Sequence, residues 1–133
     1  MDKLNFEIVS PERLVLSESV DEVVLPGTEG YLGVLPGHAP LLSSLMPGEV
    51  SYREGDRVRF LAVSGGFVEV LPDRVTLLAE TCERAEEIDL NRAERSKDKA
   101  EQDLQRAESE RFRAASARLQ RAVTRIHVVA RIR

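Results

Sequence analysis

Residues 111–129 read RFRAASARLQRAVTRIHVV, and within them Phe112, Ala115, Leu119, Ala122, Ile126 and Val129 step by three and four alternately. That spacing predicts a helix with a narrow apolar seam packed on one partner helix. Upstream, Leu90, Ala93, Lys97, Ala100, Leu104 and Ala107 repeat the stepping with Lys97 interrupting it. Residues 86–133 are therefore expected to fold as a helical hairpin turning near Ser109. Alanine dominates this upstream seam. Burying a methyl group stabilises by under about 1 kcal/mol whereas a leucine contributes roughly 1.5–3 kcal/mol, so the hairpin is expected to hold weakly and to move.

Charge separates along the same stretch. The acids Glu86, Glu87, Asp89, Glu94, Asp98, Glu101, Asp103 and Glu108 outnumber the bases among them, while Arg111, Arg113, Arg118, Arg121, Arg125, Arg131 and Arg133 follow without an intervening acid. The two helices are expected to attract each other. An arginine rod of this kind is either a solvated helix face or, once the hairpin opens, a match for an acidic protein surface or an anion.

A chain of 133 residues has room for one domain of about 80 residues plus an appendage. The net charge of −4 and a pI near 5.3 speak against a general nucleic-acid binder, which needs excess positive charge to release counterions. With no tryptophan and two tyrosines the chain also lacks the aromatic side chains of a base-stacking platform. Residues 1–6 lack the apolar centre of a signal peptide, and no later run approaches the roughly 20 apolar residues of a membrane span, so a soluble protein that stays where it is made is expected. The single cysteine, Cys82, cannot form an internal disulfide, which fits a reducing compartment. It reads as a small apolar residue closing the β region, since only Arg84 nearby would lower its pKa.

From Leu4 to about Glu80 the period changes to two. Leu4, Phe6 and Ile8 alternate with polar residues, Leu14 and Leu16 do so again, and Val20 to Leu25 form a short apolar run stopped by Pro26-Gly27. Further turn signals at Gly30, Pro36-Gly37, Pro47-Gly48, Glu54-Gly55-Asp56, Gly65-Gly66 and Pro72-Asp73 leave room only for short strands. Strands are expected near 4–9, 13–17, 20–25, 31–35, 42–45, 49–53, 57–63, 67–71 and 74–80. The spacing points to an antiparallel sandwich or barrel. The expected fold is thus β + α, with a β domain over 1–82 and a mobile helical hairpin over 83–133. No Gly-rich loop followed by Lys-Ser or Lys-Thr, no paired His/Cys zinc spacing and no Ser/His/Asp set is visible, so neither a catalytic residue nor a metal site is expected. An enzyme acting alone would need such a group. His38, in Pro36-Gly37-His38-Ala39-Pro40, reads as a contact or turn residue, because a general base needs a positioned partner and a pocket. The leucines and Met46 of residues 35–47 mark a docking surface or cap the end of the β domain.

Three motifs in order, Gly30-Tyr31-Leu32-Gly33-Val34-Leu35-Pro36-Gly37-His38, Ala62-Val63-Ser64-Gly65-Gly66-Phe67-Val68-Glu69-Val70 and Val75-Thr76-Leu77-Leu78-Ala79-Glu80, precede the alanine-rich hairpin. Over essentially the whole chain this pattern resembles the bacterial epsilon subunit of the F-type ATP synthase. The resemblance implies an N-terminal β-sandwich with a C-terminal helical hairpin, and a non-catalytic part of the rotor's central stalk. It places the protein at the cytoplasmic face of the bacterial inner membrane, touching that membrane only indirectly. The gamma subunit and the c-subunit ring are the implied partners of the sandwich, with Tyr31, His38 and Leu42 as contacts. Tyr31 stands where many relatives are acidic, so the same polar contact is not assumed there. The resemblance further implies a hairpin that lies folded on the sandwich or extends into the alpha/beta head. Extended, its Arg111, Arg113, Arg118, Arg121 and Arg125 would meet the beta subunits and restrain ATP hydrolysis.

Ile88-Asp89-Leu90-Asn91-Arg92-Ala93 is similar to the Ile/Leu-Asp-x-x-Arg-Ala signature of epsilon subunits whose folded hairpin holds ATP. With a turn near Ser109, antiparallel pairing brings Arg92 level with Arg125 and His127, and Lys99 level with Arg121. Triphosphate oxygens could be held where these cations converge. The resemblance adds Glu83, directed at the adenine or its amino group. ATP is then a regulatory ligand of Glu83, Ile88, Asp89, Arg92, Lys99, Arg121 and Arg125, with no cofactor required. The same stretch also makes a plain helix start: Asp89 would cap the amide of Asn91 or Arg92 while Ile88 and Ala93 form a hydrophobic staple. A purely structural rotor subunit without nucleotide sensing is the alternative expectation.

Overall fold

Period-two alternation in the sequence becomes alternation in burial. In β1 (Leu4–Val9) the side chains of Leu4, Phe6 and Ile8 are fully buried while Asn5 is exposed, because successive strand residues point to opposite faces. A computed structural model describes residues 2–106 and 109–132. The strands that follow are β2 (Leu14–Val20), β3 (Glu22–Gly27), β4 (Gly30–Val34), β5 (Leu41–Leu45), β6 (Gly48–Glu54), β7 (Arg57–Val63), β8 (Gly66–Leu71), β9 (Arg74–Ala79) and β10 (Cys82–Arg84). A single turn of 3₁₀ helix at Ala85–Glu87 leads to α1 (Leu90–Arg106) and α2 (Ser109–Ala130). Ala107 and Glu108 of the expected seam and charge pattern lie outside the described residues, as does Arg133.

One hydrogen-bonded path, β10-β7-β6-β3-β5-β8-β9-β1-β2, joins the strands, with β4 paired to β3. The path folds over on itself, since the rings of Phe6 on β1 and Tyr52 on β6 meet edge to face at 5.5 Å between centroids. The pairing departs from the expected antiparallel pattern in one place. β1 runs parallel to β9, with Phe6 beside Val75 and Ile8 beside Leu77, because the N-terminal strand is slotted between β2 and β9. The strand expected at 20–25 begins at Glu22 instead, and Val20 ends β2. Gly66 opens β8 at φ 139°, and a Cβ there would stand 1.9 Å from the Leu78 carbonyl oxygen, so only glycine fits.

β10 extends the sheet past the boundary expected at residue 82. Cys82, Glu83 and Arg84 pair antiparallel with Val63, Ala62 and Leu61. The Arg84 guanidinium also donates to the Val15 carbonyl at 2.9 Å, tying the strand to the opposite side of the sandwich. Cys82 is buried, and burial pushes its thiol up to about 12, so it fills space as expected.

The helices bury alanines against each other: Ala93 and Ala100 of α1, and Ala115 and Ala122 of α2, are all buried. Phe112, expected in the seam, is half exposed. α2 does not pack on one helix alone. Val128 and Val129 close a second small core with Ala62 of β7, Ala85 and Ile88, and Phe60 and Leu90 flank it. That covering helix explains why Leu61, Ala62 and Val63 are buried in succession: the end of β7 has protein on both faces.

Candidate functional site

Where the hairpin leaves the sandwich, the chain and both helices converge on a cleft. Asp89 precedes α1, and its Oδ1 accepts the Arg92 backbone N–H at 3.1 Å, the N-cap bond that starts the helix. Ile88 and Ala93 on either side are buried as a staple requires. This start brings Arg92 to a cleft that Thr81 and Glu83 from the strand end also line, while α2 adds Arg125. The cleft, about 290 Å³, is lined by Thr81, Glu83, Asp89, Arg92, Ser96 and Arg125 among others. That is near the lower end of ligand pockets, which run from about 300 to 1,000 Å³.

The residues named from sequence divide here. Glu83, Asp89, Arg92 and Arg125 line the cleft together, and Arg121 lines a small neighbouring cavity that shares Thr81, Glu83 and Arg125. Ile88 is buried in the small core beneath rather than open to the cleft. Lys99 is exposed and lines neither cavity. His127, expected level with Arg92, faces the other way, toward the sandwich. The Arg125 Nε donates to Glu83 Oε1, so its guanidinium already holds a carboxylate.

The arginine row is partly engaged. Arg118 donates to Asp103 Oδ2 at 2.9 Å, the charge attraction expected between α1 and α2. Arg111 and Arg113 are exposed. At the far end of α2, Arg131 donates to Glu49 Oε2 of β6 at 3.1 Å and lies 5.4 Å from the Phe60 ring centroid. The same face of α2 closes a wider cavity of about 970 Å³ over Pro26, Tyr31, Met46 and Gly48, into which His127 and Arg131 project.

Tyr31, His38 and Leu42 sit on the sandwich. Tyr31 is 64% exposed, though its hydroxyl accepts the Glu49 backbone N–H at 3.3 Å, and Leu42 is 73% exposed. His38 is half-buried, its Nδ1–H donating to the Ala39 carbonyl at 2.7 Å. Its loop is held by a bond of 2.7 Å from Gly37 N–H to the Pro72 carbonyl. Leu35, Leu41 and Met46 are exposed nearby whereas Leu45 is buried in the sandwich core, so the apolar side chains of this stretch divide between surface and core.

Sequence reasoning passed over an apolar rung on the sandwich's outer face. Ser44, Phe67, Leu78, Val9 and Leu14 stand side by side across β5, β8, β9, β1 and β2. Phe67, Leu78 and Leu14 are each more than half exposed. The signal was available: if Val68 and Val70 face inward, Phe67 must face out, and if Leu77 and Ala79 face inward, Leu78 must face out.

Two family models match the sandwich and the helical part in turn. The beta-sandwich domain of the ATP synthase Delta/Epsilon chain matches residues 3–85, and the long alpha-helix domain of the same chain matches residues 86–130. The chain therefore belongs to the ATP synthase delta/epsilon chain family. It is 51% identical over 96 residues to the ATP synthase epsilon chain of Koribacter versatilis, covering 72% of this chain and 68% of that one. To the epsilon chain of Syntrophobacter fumaroxidans it is 53% identical over 98 residues, covering 74% and 73%. Its fold matches a chain of the Euglena gracilis mitochondrial ATP synthase, OSCP/F1/c-ring in rotational state 1, with a TM-score of 0.86 at 20% identity, covering 100% of this chain and 83% of that one.

Proposed function

We propose that the chain is a non-catalytic central-stalk subunit of a bacterial F-type ATP synthase, that its sandwich joins gamma to the c ring, and that its hairpin restrains ATP hydrolysis when extended. The sandwich supplies two apolar surfaces for this, the Tyr31–Leu42 end toward the c ring and the Phe67–Leu78–Leu14 rung toward gamma. Such exposed patches are typical docking sites. The complex thereby sits at the cytoplasmic face of the inner membrane without this chain entering the bilayer; none of its described helices is long and apolar enough to cross one. In the folded hairpin, Arg118 and Arg125 are held by Asp103 and Glu83. Extension frees them, with Arg111, Arg113 and Arg121, for acidic surface on the beta subunits.

Regulation by ATP is carried by one observation: the walls of the hinge cleft come from the strand end, from α1 and from α2, so the cleft exists only while the hairpin is folded. A ligand bound there favours the folded state by its differential affinity. High ATP then releases the brake and low ATP sets it. Arg92, Arg121 and Arg125 take the phosphates, Asp89 orients the start of α1, and Lys99 adds long-range charge from outside the cleft. A purely structural rotor subunit is the second reading, favoured by Asp89 being fully employed as a cap and Arg125 as the partner of Glu83.

Calorimetric titration of the isolated chain with ATP, read alongside small-angle scattering, separates the two. Sensing gives heat and a more compact particle. Arg92→Ala then weakens binding roughly tenfold to a hundredfold, the loss of about 1.5–3 kcal/mol for a charge-assisted contact. Absence of heat and compaction at millimolar ATP leaves the structural reading standing.

A further inference from the structure

The last turn of α2 ends over two side chains that share one face of the sheet. Glu49 of β6 stands directly opposite Ala62 of β7 and diagonal to Phe60, which puts all three on the same side. Ala62 is buried with Val128 and Val129, so this is the side that α2 covers. The amides of Arg131 and Ile132 donate to the Val128 and Val129 carbonyls at 3.1 Å each, which fixes how the chain leaves the helix. From there Arg131 reaches both neighbours. Its Nε donates to Glu49 Oε2 at 3.1 Å, and its guanidinium carbon lies 5.4 Å from the Phe60 ring centroid. The pair is lopsided: 18% of the Glu49 side-chain surface is exposed against 57% for Arg131. Among the described ion pairs, Glu49 has no other cation.

We propose that Glu49 is the catch of a latch that Arg131 closes, holding the end of α2 on the sandwich and setting how readily the hairpin lifts. The proposal rests on the reading of a hairpin that leaves the sandwich. It needs no nucleotide, because Glu49 and Arg131 line the wider cavity and neither lines the hinge cleft. The unequal exposure of the pair decides how the latch works. In the folded hairpin the Glu49 side chain is largely covered, and its carboxylate regains water only when α2 leaves. With Arg131 in place that charge is answered. Without Arg131 the folded state must keep a mostly covered anion unpaired, which opposes folding more strongly than the pair favours it. The cation stands half in water and tolerates loss of its partner. Arg131 is therefore needed only because Glu49 is charged, and removing Glu49 should make Arg131 nearly dispensable.

Amide hydrogen exchange of the intact chain, without nucleotide, tests this by comparing residues 120–130 of α2 with β1 and β9 of the sandwich. Wild type, Arg131→Ala, Glu49→Gln and the double variant are measured. Circular dichroism checks the fold, and Arg131→Gln, which keeps most of the stem, serves if the alanine variant misfolds. Arg131→Ala should speed exchange in α2 about tenfold or more, and Glu49→Gln by about threefold at most, while β1 and β9 keep their protection. Adding Glu49→Gln to Arg131→Ala should slow α2 again, toward the rate of Glu49→Gln alone, because the stranded charge is gone. Equal acceleration by Arg131→Ala in both backgrounds means that Arg131 acts by packing on Phe60 alone, and overturns the latch. Unchanged α2 exchange in Arg131→Ala overturns it too, and leaves the moving hairpin standing if α2 of the wild type still exchanges faster than β1 and β9. If α2 exchanges only together with β1 and β9 in every variant, the hairpin does not lift by itself, and both the latch and that reading fall.

Discussion

The sandwich and the hairpin are held by different materials. Inside the sandwich lie Phe6, Leu4, Ile8, Leu25, Leu61 and Leu77, all essentially without exposure, whereas the buried residues between the helices are Ala93, Ala100, Ala115 and Ala122. At roughly 1.5–3 kcal/mol for a large side chain against under about 1 kcal/mol for a methyl, the first region is a rigid platform and the second a contact that can be exchanged. What docks the hairpin is mostly the small core of Ile88, Val128 and Val129 against Ala62, together with Arg131 over Phe60.

The comparison breaks most visibly at Phe6. Phe6→Ala removes a fully buried ring and its edge contact with Tyr52, and should cost about 3–5 kcal/mol of sandwich stability in urea denaturation. A loss below 1 kcal/mol would mean that the sandwich is no better packed than the hairpin.

Val128→Ala sharpens the contrast from the other side. It should cost roughly 1–3 kcal/mol, and the loss should appear as faster amide hydrogen exchange in α1 and α2 while β1, β8 and β9 keep their protection. Equal acceleration in sandwich and helices would show one cooperative unit where two are described.

The smallest effect is electrostatic and confined to the sandwich. The Gly55 N–H, with Lys3 and then Arg53, holds the Asp21 carboxyl below its ordinary 3.8 against a modest opposing effect of desolvation. A carboxyl lowered on folding adds stability that is present above its unfolded pKa and disappears as pH falls through the folded one. Asp21→Asn should therefore lower the thermal midpoint at neutral pH slightly and flatten its fall below about pH 4. An unchanged acid limb would remove Asp21 from the acid response.

Much of this arrangement was legible in the chain. Strand alternation in β1 marked Leu4, Phe6 and Ile8 as one face of a half-buried strand, and the Asp89 cap followed from residue type and position. β10 was not legible, because Cys82-Glu83-Arg84 carries no alternation of its own and becomes a strand only by completing the free edge of β7. The docking of α2 on the sandwich could have been read from Leu61-Ala62-Val63, a run that breaks period two where a second layer covers it. At the site, helical spacing brought Arg92 and Arg125 to one cleft. It failed for Lys99 and His127, because level along a hairpin does not mean turned to the same side.

The bond from Arg84 to the Val15 carbonyl has a mechanical consequence. It pins the chain to the platform immediately before the 3₁₀ turn, so any swing of the helices must take place within a few residues around Ile88 and Asp89. At 1.5 Å per residue, the 17 residues of α1 and 22 of α2 measure about 25 and 33 Å, and end to end they reach nearly 60 Å from that pivot. A lever of that length turns a small rotation of the Asp89 backbone into a displacement larger than the sandwich is thick.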